Sequence, residues 1–221
     1  VLMQIYRACG YPDREAVQSI VQNNLYGLDI DERAAQLAYF AVMMKAVQYD
    51  RRFLRRGVQP HVCAVPESAP LPEEDFAAFG EDADAARRLH AAFLDGKEYG
   101  SLTEPGVTLR EVSALRHRML TMHIFDPQAM KLDSLSDALD AVDALSPLVD
   151  AAEMLLQKYD VVATNPPYMG ASNMNAVLSA FVKKEYPDSK GDLFAVFIER
   201  CRAFAKAGGY QAMITQHAWM F

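Results

Sequence analysis

Four consecutive residues, Asn165-Pro166-Pro167-Tyr168, carry the most chemistry in this chain. They follow Tyr159-Asp160-Val161-Val162-Ala163-Thr164, a run with the composition of a buried strand. Ligands of open α/β sheets bind at the carboxyl ends of such strands. Two prolines in a row fix the backbone and remove two amide donors, so nearby carbonyl oxygens and the Asn165 side-chain oxygen are held outward as acceptors. A fixed pair of acceptors suits an exocyclic amino group. Its N–H groups would donate to Asn165 and to the Pro166 carbonyl, which localises the nitrogen lone pair and aims it at an electrophilic methyl group. No strong base is needed, because charge developing on nitrogen is stabilised electrostatically and the proton leaves late. Tyr168 offers a flat face to a planar substrate, as in sites that take a base out of a duplex. Taken alone, Asn-Pro-Pro is also simply a rigid turn leaving a strand.

A second constellation sits near the start. Asn24-Leu25-Tyr26-Gly27-Leu28-Asp29-Ile30 is short and apolar and reaches an acid, as a buried parallel strand of an α/β sheet does. Asp29 at that strand end suits the two hydroxyls of a ribose. Taken alone, it reads more readily as a cap for the helix beginning at Asp31.

The elements that must hold these residues alternate. Residues 1–9 read as a helix end, Gly10-Tyr11-Pro12-Asp13 as punctuation, and Glu15, Val17, Ile20 and Val21 as a second short helix. After the acidic strand, Asp31 is an N-cap, and Ala34, Leu37, Ala38, Ala41, Val42, Met44 and Ala46 form an apolar stripe. Arg51, Arg52, Arg55, Arg56 and Gly57 read as a helix end on the solvated surface. His61 to Val65 is another strand, ended by Pro66-Glu67-Ser68. From there to about Gln157 the chain is acidic, alanine-rich and helical, broken at Pro70, Pro72, Gly80, Gly96, Gly100 and Pro105, which reads as an insertion. Asp133, Asp137, Asp140 and Asp143 follow a helical interval and read as a solvated face. After the strand at 159–164 come a helix to about Lys184, a helix from Asp192 to about Lys206 stopped by Gly208-Gly209, and a strand from Tyr210 to Thr215. This order predicts an α/β fold, a mostly parallel sheet with flanking helices and a long helical insertion. The expected division is 1–68 and 158–221 as two parts of one core, with 69–157 inserted.

Composition bounds the rest. A chain of 221 residues, 51% apolar and 23% charged, can bury a sizeable core. The net charge of −7 is unfavourable for broad contact with nucleic acid. Cys9, Cys63 and Cys201 are odd in number and far apart, which excludes a disulfide framework and a zinc site and reads as buried thiols in a reducing cytoplasm. His61, His90, His117, His123 and His217 form no metal or nucleophile signature, so no metal is expected. The opening apolar run is too short for a membrane span and lacks the marks of a secretory signal.

Asn24 to Ala38 (NLYGLDIDERAAQLA), Asp160 to Gly170 (DVVATNPPYMG) and Lys190 to Phe221 together resemble the amino-methyltransferases that make N6-methyladenine in DNA. Within that family they are similar to the large adenine-specific enzymes of BREX and phage-growth-limitation defence systems. The resemblance covers both ends of the chain, and only loosely the stretch from about 69 to 157. It implies a partial Rossmann-like class I methyltransferase fold, S-adenosyl-L-methionine as cofactor, and double-stranded DNA with a flipped adenine as substrate. Other phage-defence proteins are implied as partners, in a cytoplasmic restriction-modification or BREX setting. It further implies that Asp29 binds the cofactor ribose, Ile30 lies against the cofactor adenine, and Asn165 and Pro166 hold the target amino group. Tyr168 would stack on the target adenine, with Phe194 near the two adenines and Glu67 (or Ser68) after the third strand as a cofactor contact. Members of the family bind the methionine end of the cofactor on a glycine loop, and no G-x-G occurs here. That loop is expected before Val1, and a target-recognition region beyond Phe221, so this stretch alone is expected to be inactive.

Two alternatives stay open. Enzymes that methylate a glutamine side chain of release factors use the same four residues, and some ribosomal RNA guanine methyltransferases use a variant; the long insertion favours the DNA enzyme. The other alternative is a non-catalytic methyltransferase-fold scaffold in a defence complex.

Overall fold

The computed structural model describes residues 1–122 and 132–217, with side chains from residue 138 onward in the second stretch. The chain divides into two compact units, Val1–Pro66 and Glu67–Phe221. The single sheet read from the sequence is found as two parallel strand pairs, one in each unit.

The first unit runs α1 (Leu2–Ala8), α2 (Asp13–Ser19), a π-helical turn (Ile20–Asn24), β1 (Tyr26–Asp29), α3 (Glu32–Tyr49), a 3-10 turn (Phe53–Arg56) and β2 (His61–Ala64). Strands β1 and β2 pair in parallel, from Tyr26 opposite His61 to Asp29 opposite Ala64. A parallel pair needs a crossover, and α3 supplies it. Helix α3 starts where the sequence predicts, because the Asp31 carboxylate accepts from the Arg33 and Ala34 amides at 2.7 and 3.0 Å. Its buried face shares only Val42 and Ala46 with the expected stripe. Ala34, Leu37, Ala38, Ala41 and Met44 are exposed, whereas Ala35 and Ala46 are buried and Val42, Met43 and Val47 pack inward. The helix is apolar on several sides, so spacing alone did not choose the face; the cluster of Met3, Val17, Ile20, Val21, Phe53 and Val58 did. The arginine cluster also needs correction. Arg56 is not solvated: its guanidinium pairs with Asp50 at 2.6 Å with the side chain 17% exposed, while Arg51, Arg52 and Arg55 are exposed. Cys9, read as a buried thiol, is exposed, and Cys63 is only partly buried.

The second unit opens with helices: a 3-10 segment (Glu73–Asp82), α4 (Ala83–Ala92), α5 (Gly96–Tyr99), a 3-10 turn (Gly100–Leu102), α6 (Leu109–Met122) and α7 (Leu132–Leu156). Thr108 and Glu111 start α6 as a reciprocal cap. The Thr108 amide and hydroxyl donate to Glu111 Oε2 at 2.7 and 2.8 Å, and the Glu111 amide returns a bond to Thr108 Oγ1 at 3.3 Å. Leu115 and Leu145 are fully buried between α6 and α7, and Arg116 reaches across to Asp150 and Glu153 at 2.8 and 2.6 Å. Asp140 and Asp143 are exposed as expected; the side chains of Asp133 and Asp137, and all of His123, lie outside the described residues.

The unit then continues with β3 (Tyr159–Thr164), α8 (Ala176–Glu185), α9 (Leu193–Phe204) and β4 (Ala205–Met213), with β3 parallel to β4. Arg200 of α9, only 5% exposed, is enclosed by the turn ahead of α6. It donates to the Ser101 and Thr103 carbonyls at 2.9 and 2.8 Å, pairs with Glu104, and lies over the Phe204 ring. Two expectations fail here. Helix α9 ends at Phe204 and not near Lys206, and Gly208-Gly209 fall inside β4, where the register jumps between Tyr159 opposite Ala205 and Val161 opposite Tyr210. Gly208 has φ 78°, a conformation glycine tolerates and other residues resist. Nor is β3 buried on both faces: α9 packs on one side, while Val161 and its neighbour Tyr210 are 61% and 74% exposed.

A Cβ at Gly209 would sit 3.0 to 3.1 Å from the carbonyl oxygens of Lys206, Asp160 and Tyr159, all backbone atoms that cannot swing aside. Gly209→Ala is expected to lower stability by about 1–3 kcal/mol in urea unfolding, whereas Gly191→Ala, which meets open space, should stay within about 0.5 kcal/mol. The Thr108 amide, the Arg88 guanidinium and the Thr108 hydroxyl hold the Glu111 carboxyl at about 2, against an ordinary 4.5. A lowered folded value means this contribution is full above the ordinary value and disappears as pH falls through about 2. The stability difference between wild type and Glu111→Gln should therefore shrink as unfolding is measured from pH 7 towards pH 2.

Candidate active site

The turn after β3 brings its functional groups to the surface while anchoring them from below. Pro166 is buried; Asn165, Pro167 and Tyr168 are exposed. Neither proline can donate a hydrogen bond, so the turn is fixed by its flanks. On one side the Leu193 amide donates to the Met169 carbonyl at 2.9 Å, the Ala171 amide donates to the Gly191 carbonyl at 3.0 Å, and Gly170 bridges to Asp192. Asp192 also caps α9, accepting from the Phe194 amide at 3.2 Å. On the other side the Ile214 amide donates to the Thr164 carbonyl at 3.4 Å. The turn is thus clamped between the start of α9 and the end of β4.

Phe194 and Tyr168 meet within this clamp. Their ring centroids are 6.4 Å apart at 76°, an edge-to-face contact. Phe194 is 4% exposed and buttresses Tyr168, which stays 47% exposed with part of its ring available for stacking. The Tyr168 hydroxyl is in donor range of the Ile214 carbonyl oxygen at 3.0 Å and of Asn165 Oδ1 at 3.3 Å. The structure therefore brings together Asn165, Pro166, Pro167, Tyr168 and Phe194. The Ile214 carbonyl and Asp192 join them, though sequence reading assigned neither to the site. Asp192 had a signal as the helix start; Ile214 takes part through its backbone, which no side-chain pattern can reveal.

Asp29 and Ile30 belong to the first unit. The Asp29 carbonyl accepts from the Val65 amide at 2.7 Å, which ties the ends of β1 and β2. Asp29 Oδ1 accepts from the Asp31 amide at 2.9 Å, so it orients the turn while Asp31 itself caps α3. Among the described residues no donor is bonded to Asp29 Oδ2. Ile30 is 46% exposed beside it. That combination, one oriented acceptor oxygen and an adjoining apolar surface, fits a ribose with its base. Glu67 begins the second unit and is exposed; Ser68 is committed, its hydroxyl donating to the His90 carbonyl at 2.6 Å and its amide to the Phe93 carbonyl at 2.9 Å. Among the described residues no cluster of three or more His, Cys, Asp or Glu side chains could hold a metal ion, and no helix is long and apolar enough to cross a membrane.

The chain belongs to the Eco57I restriction-modification methylase family, whose profile matches residues 23–221. It is 41% identical over 226 residues to "Adenine-specific methyltransferase PglX" of Lacticaseibacillus casei (strain Zhang), covering 100% of this chain and 18% of that protein. It is 35% identical over 247 residues to "Adenine-specific methyltransferase BrxX" of Escherichia coli O9:H4 (strain HS), covering 100% of this chain and 20% of that protein. The chain spans about a fifth of the length of these curated relatives.

Asp192 joins the helix cap and the turn, so Asp192→Ala should cost about 0.5–2 kcal/mol of stability. Hydrogen exchange should locate the loss, with faster exchange at the Leu193 and Ala171 amides.

Proposed function

We propose that this chain is the catalytic part of an S-adenosyl-L-methionine-dependent DNA adenine N6-methyltransferase acting in a BREX-type phage-defence or restriction-modification system. One observation carries the reading: an exposed asparagine amide and a half-exposed tyrosine, buttressed by Phe194, on a turn whose prolines leave only acceptors. Family membership and the names of the relatives support it. In this reading the fold is a partial Rossmann-like class I methyltransferase fold, with 1–68 and 158–221 as two parts of the core and 69–157 as a helical insertion.

S-adenosyl-L-methionine supplies the electrophilic methyl group when bound. Asp29 accepts from the ribose hydroxyls through Oδ2, Ile30 lies against the adenine, and Glu67 is the polar contact after the next strand. The target adenine, flipped from duplex DNA, stacks on Tyr168. Asn165 Oδ1 and the Pro166 carbonyl accept its two amino hydrogens, which directs the nitrogen lone pair away from the base π-system. These acceptors stabilise the charge that builds on nitrogen during transfer, and the proton leaves to solvent afterwards. The working partners are double-stranded DNA and other defence-system proteins, and the setting is cytoplasmic.

The test uses the full-length gene product, tritiated S-adenosyl-L-methionine and unmethylated DNA. Label should appear in N6-methyladenine and fall about a hundredfold or more in Asn165→Ala. Asp29→Ala should instead weaken cofactor binding roughly tenfold or more, seen by calorimetry. Label on glutamine or RNA, or no label, would overturn the reading.

A further inference from the structure

The Asn165 amide has two ends of nearly equal shape and opposite chemistry, an acceptor oxygen and a donor NH2 group. Only one orientation presents the acceptor to a substrate amino group. We propose that the Tyr168 hydroxyl selects that orientation, acting as a positioning group through a relay that ends on the Ile214 carbonyl; the inference rests on the proposed function.

Tyr168 Oη lies 3.0 Å from the Ile214 carbonyl oxygen and 3.3 Å from Asn165 Oδ1, a position that a half-turn of the amide gives to Nδ2 instead. A phenol has one hydrogen to give. The carbonyl can only accept, and its direction is set because the Ile214 amide is itself bonded to the Thr164 carbonyl. The phenol hydrogen therefore goes to Ile214, at the shorter of the two distances. What Tyr168 then offers Asn165 is a lone pair. An amide oxygen facing that lone pair would oppose two acceptors across 3.3 Å, whereas the NH2 group facing it makes a hydrogen bond. The favoured chain is Asn165 Nδ2–H donating to Tyr168 Oη, and Tyr168 Oη–H donating to the Ile214 carbonyl. That chain requires a half-turn of the amide, which takes Oδ1 away from Tyr168 and leaves it for the target amino group.

The relay closes on itself, since Thr164 precedes Asn165 in the chain and is tied to Ile214. Tyr168 thus has two separable duties. Its ring stacks on the base, and its hydroxyl holds the asparagine. Phenylalanine would keep the first and lose the second.

Tyr168→Phe in the full-length gene product separates them. Methylation should show kcat reduced about three- to tenfold, the contribution of a single neutral hydrogen bond, with KM for DNA held within about twofold and thermal unfolding held at the wild-type temperature. A kcat equal to wild type, or a raised KM with kcat held, would overturn the relay and leave Tyr168 as a stacking ring only. A second readout does not depend on turnover. With 15N-asparagine labelling, the Asn165 side-chain NH2 should exchange slowly with water in the wild type and rapidly in Tyr168→Phe; equal exchange in both would overturn the proposal. Wild-type protein that leaves no methyl group on adenine would overturn the proposed function, and the exchange measurement would then decide the relay by itself.

Discussion

A turn containing two consecutive prolines cannot hold itself, because it lacks the amide hydrogens from which turns are made. Everything around Asn165 follows from that deficit. The Leu193 and Ala171 amides bond across to the turn's flank on one side, and the Ile214 amide bonds the end of β3 on the other. Helix α9 must start at Asp192 and β4 must reach Ile214 for both clamps to close. The same absence of donors is what the chemistry asks for, since a surface of acceptors is the complement of an amino group. Rigidity and reactivity here have one origin.

The first unit solves a related problem with different means. Asp29 stands on a strand of four residues, too short to orient a side chain by packing alone. Its backbone carbonyl is tied to Val65 on the neighbouring strand, and one carboxylate oxygen to the Asp31 amide, which leaves the other oxygen directed and available. Asp31 meanwhile caps α3. Two acids two residues apart divide the labour, and the two readings of Asp29 as ligand group and as turn-former are compatible.

Much of this was legible in the sequence, for identifiable reasons. Asp31 and Asp192 announced helix starts because capping is local chemistry between neighbours. The Asn-Pro-Pro-Tyr turn and the short apolar strand ending at Asp29 were legible for the same reason. What failed depended on distant partners. The buried face of α3 was chosen by Phe53 and Val58 and by α2, which the helix's own spacing cannot express. Ala205 and Lys206 have good helical propensity, yet they lie in β4, where Lys206 pairs with Asp160 at 2.9 Å. Gly208 and Gly209 were read as a helix stop; Gly208 takes a positive φ within β4, and Gly209 leaves room for the Tyr159 and Asp160 carbonyls of the neighbouring strand. Arg56 was read as a surface residue and is largely enclosed, pairing with Asp50 and with Gln18 of α2, and the buried Arg200 is met by the Ser101 and Thr103 carbonyls from far along the chain.

Arg200 has a consequence for how the molecule comes into being. The carbonyls of Ser101 and Thr103 are separated from it by 99 and 97 residues, so they leave the ribosome long before the cation that satisfies them. At ordinary elongation rates the gap is about 5–20 s. During that interval the Ser101 and Thr103 carbonyls lack the cation that later satisfies them, and the helices ahead of β3 must fold around an unfinished corner. Completion of this corner is a late, non-local event, which marks the seam between the helical stretch and β3–β4 as the step at which nascent chains are most exposed to error.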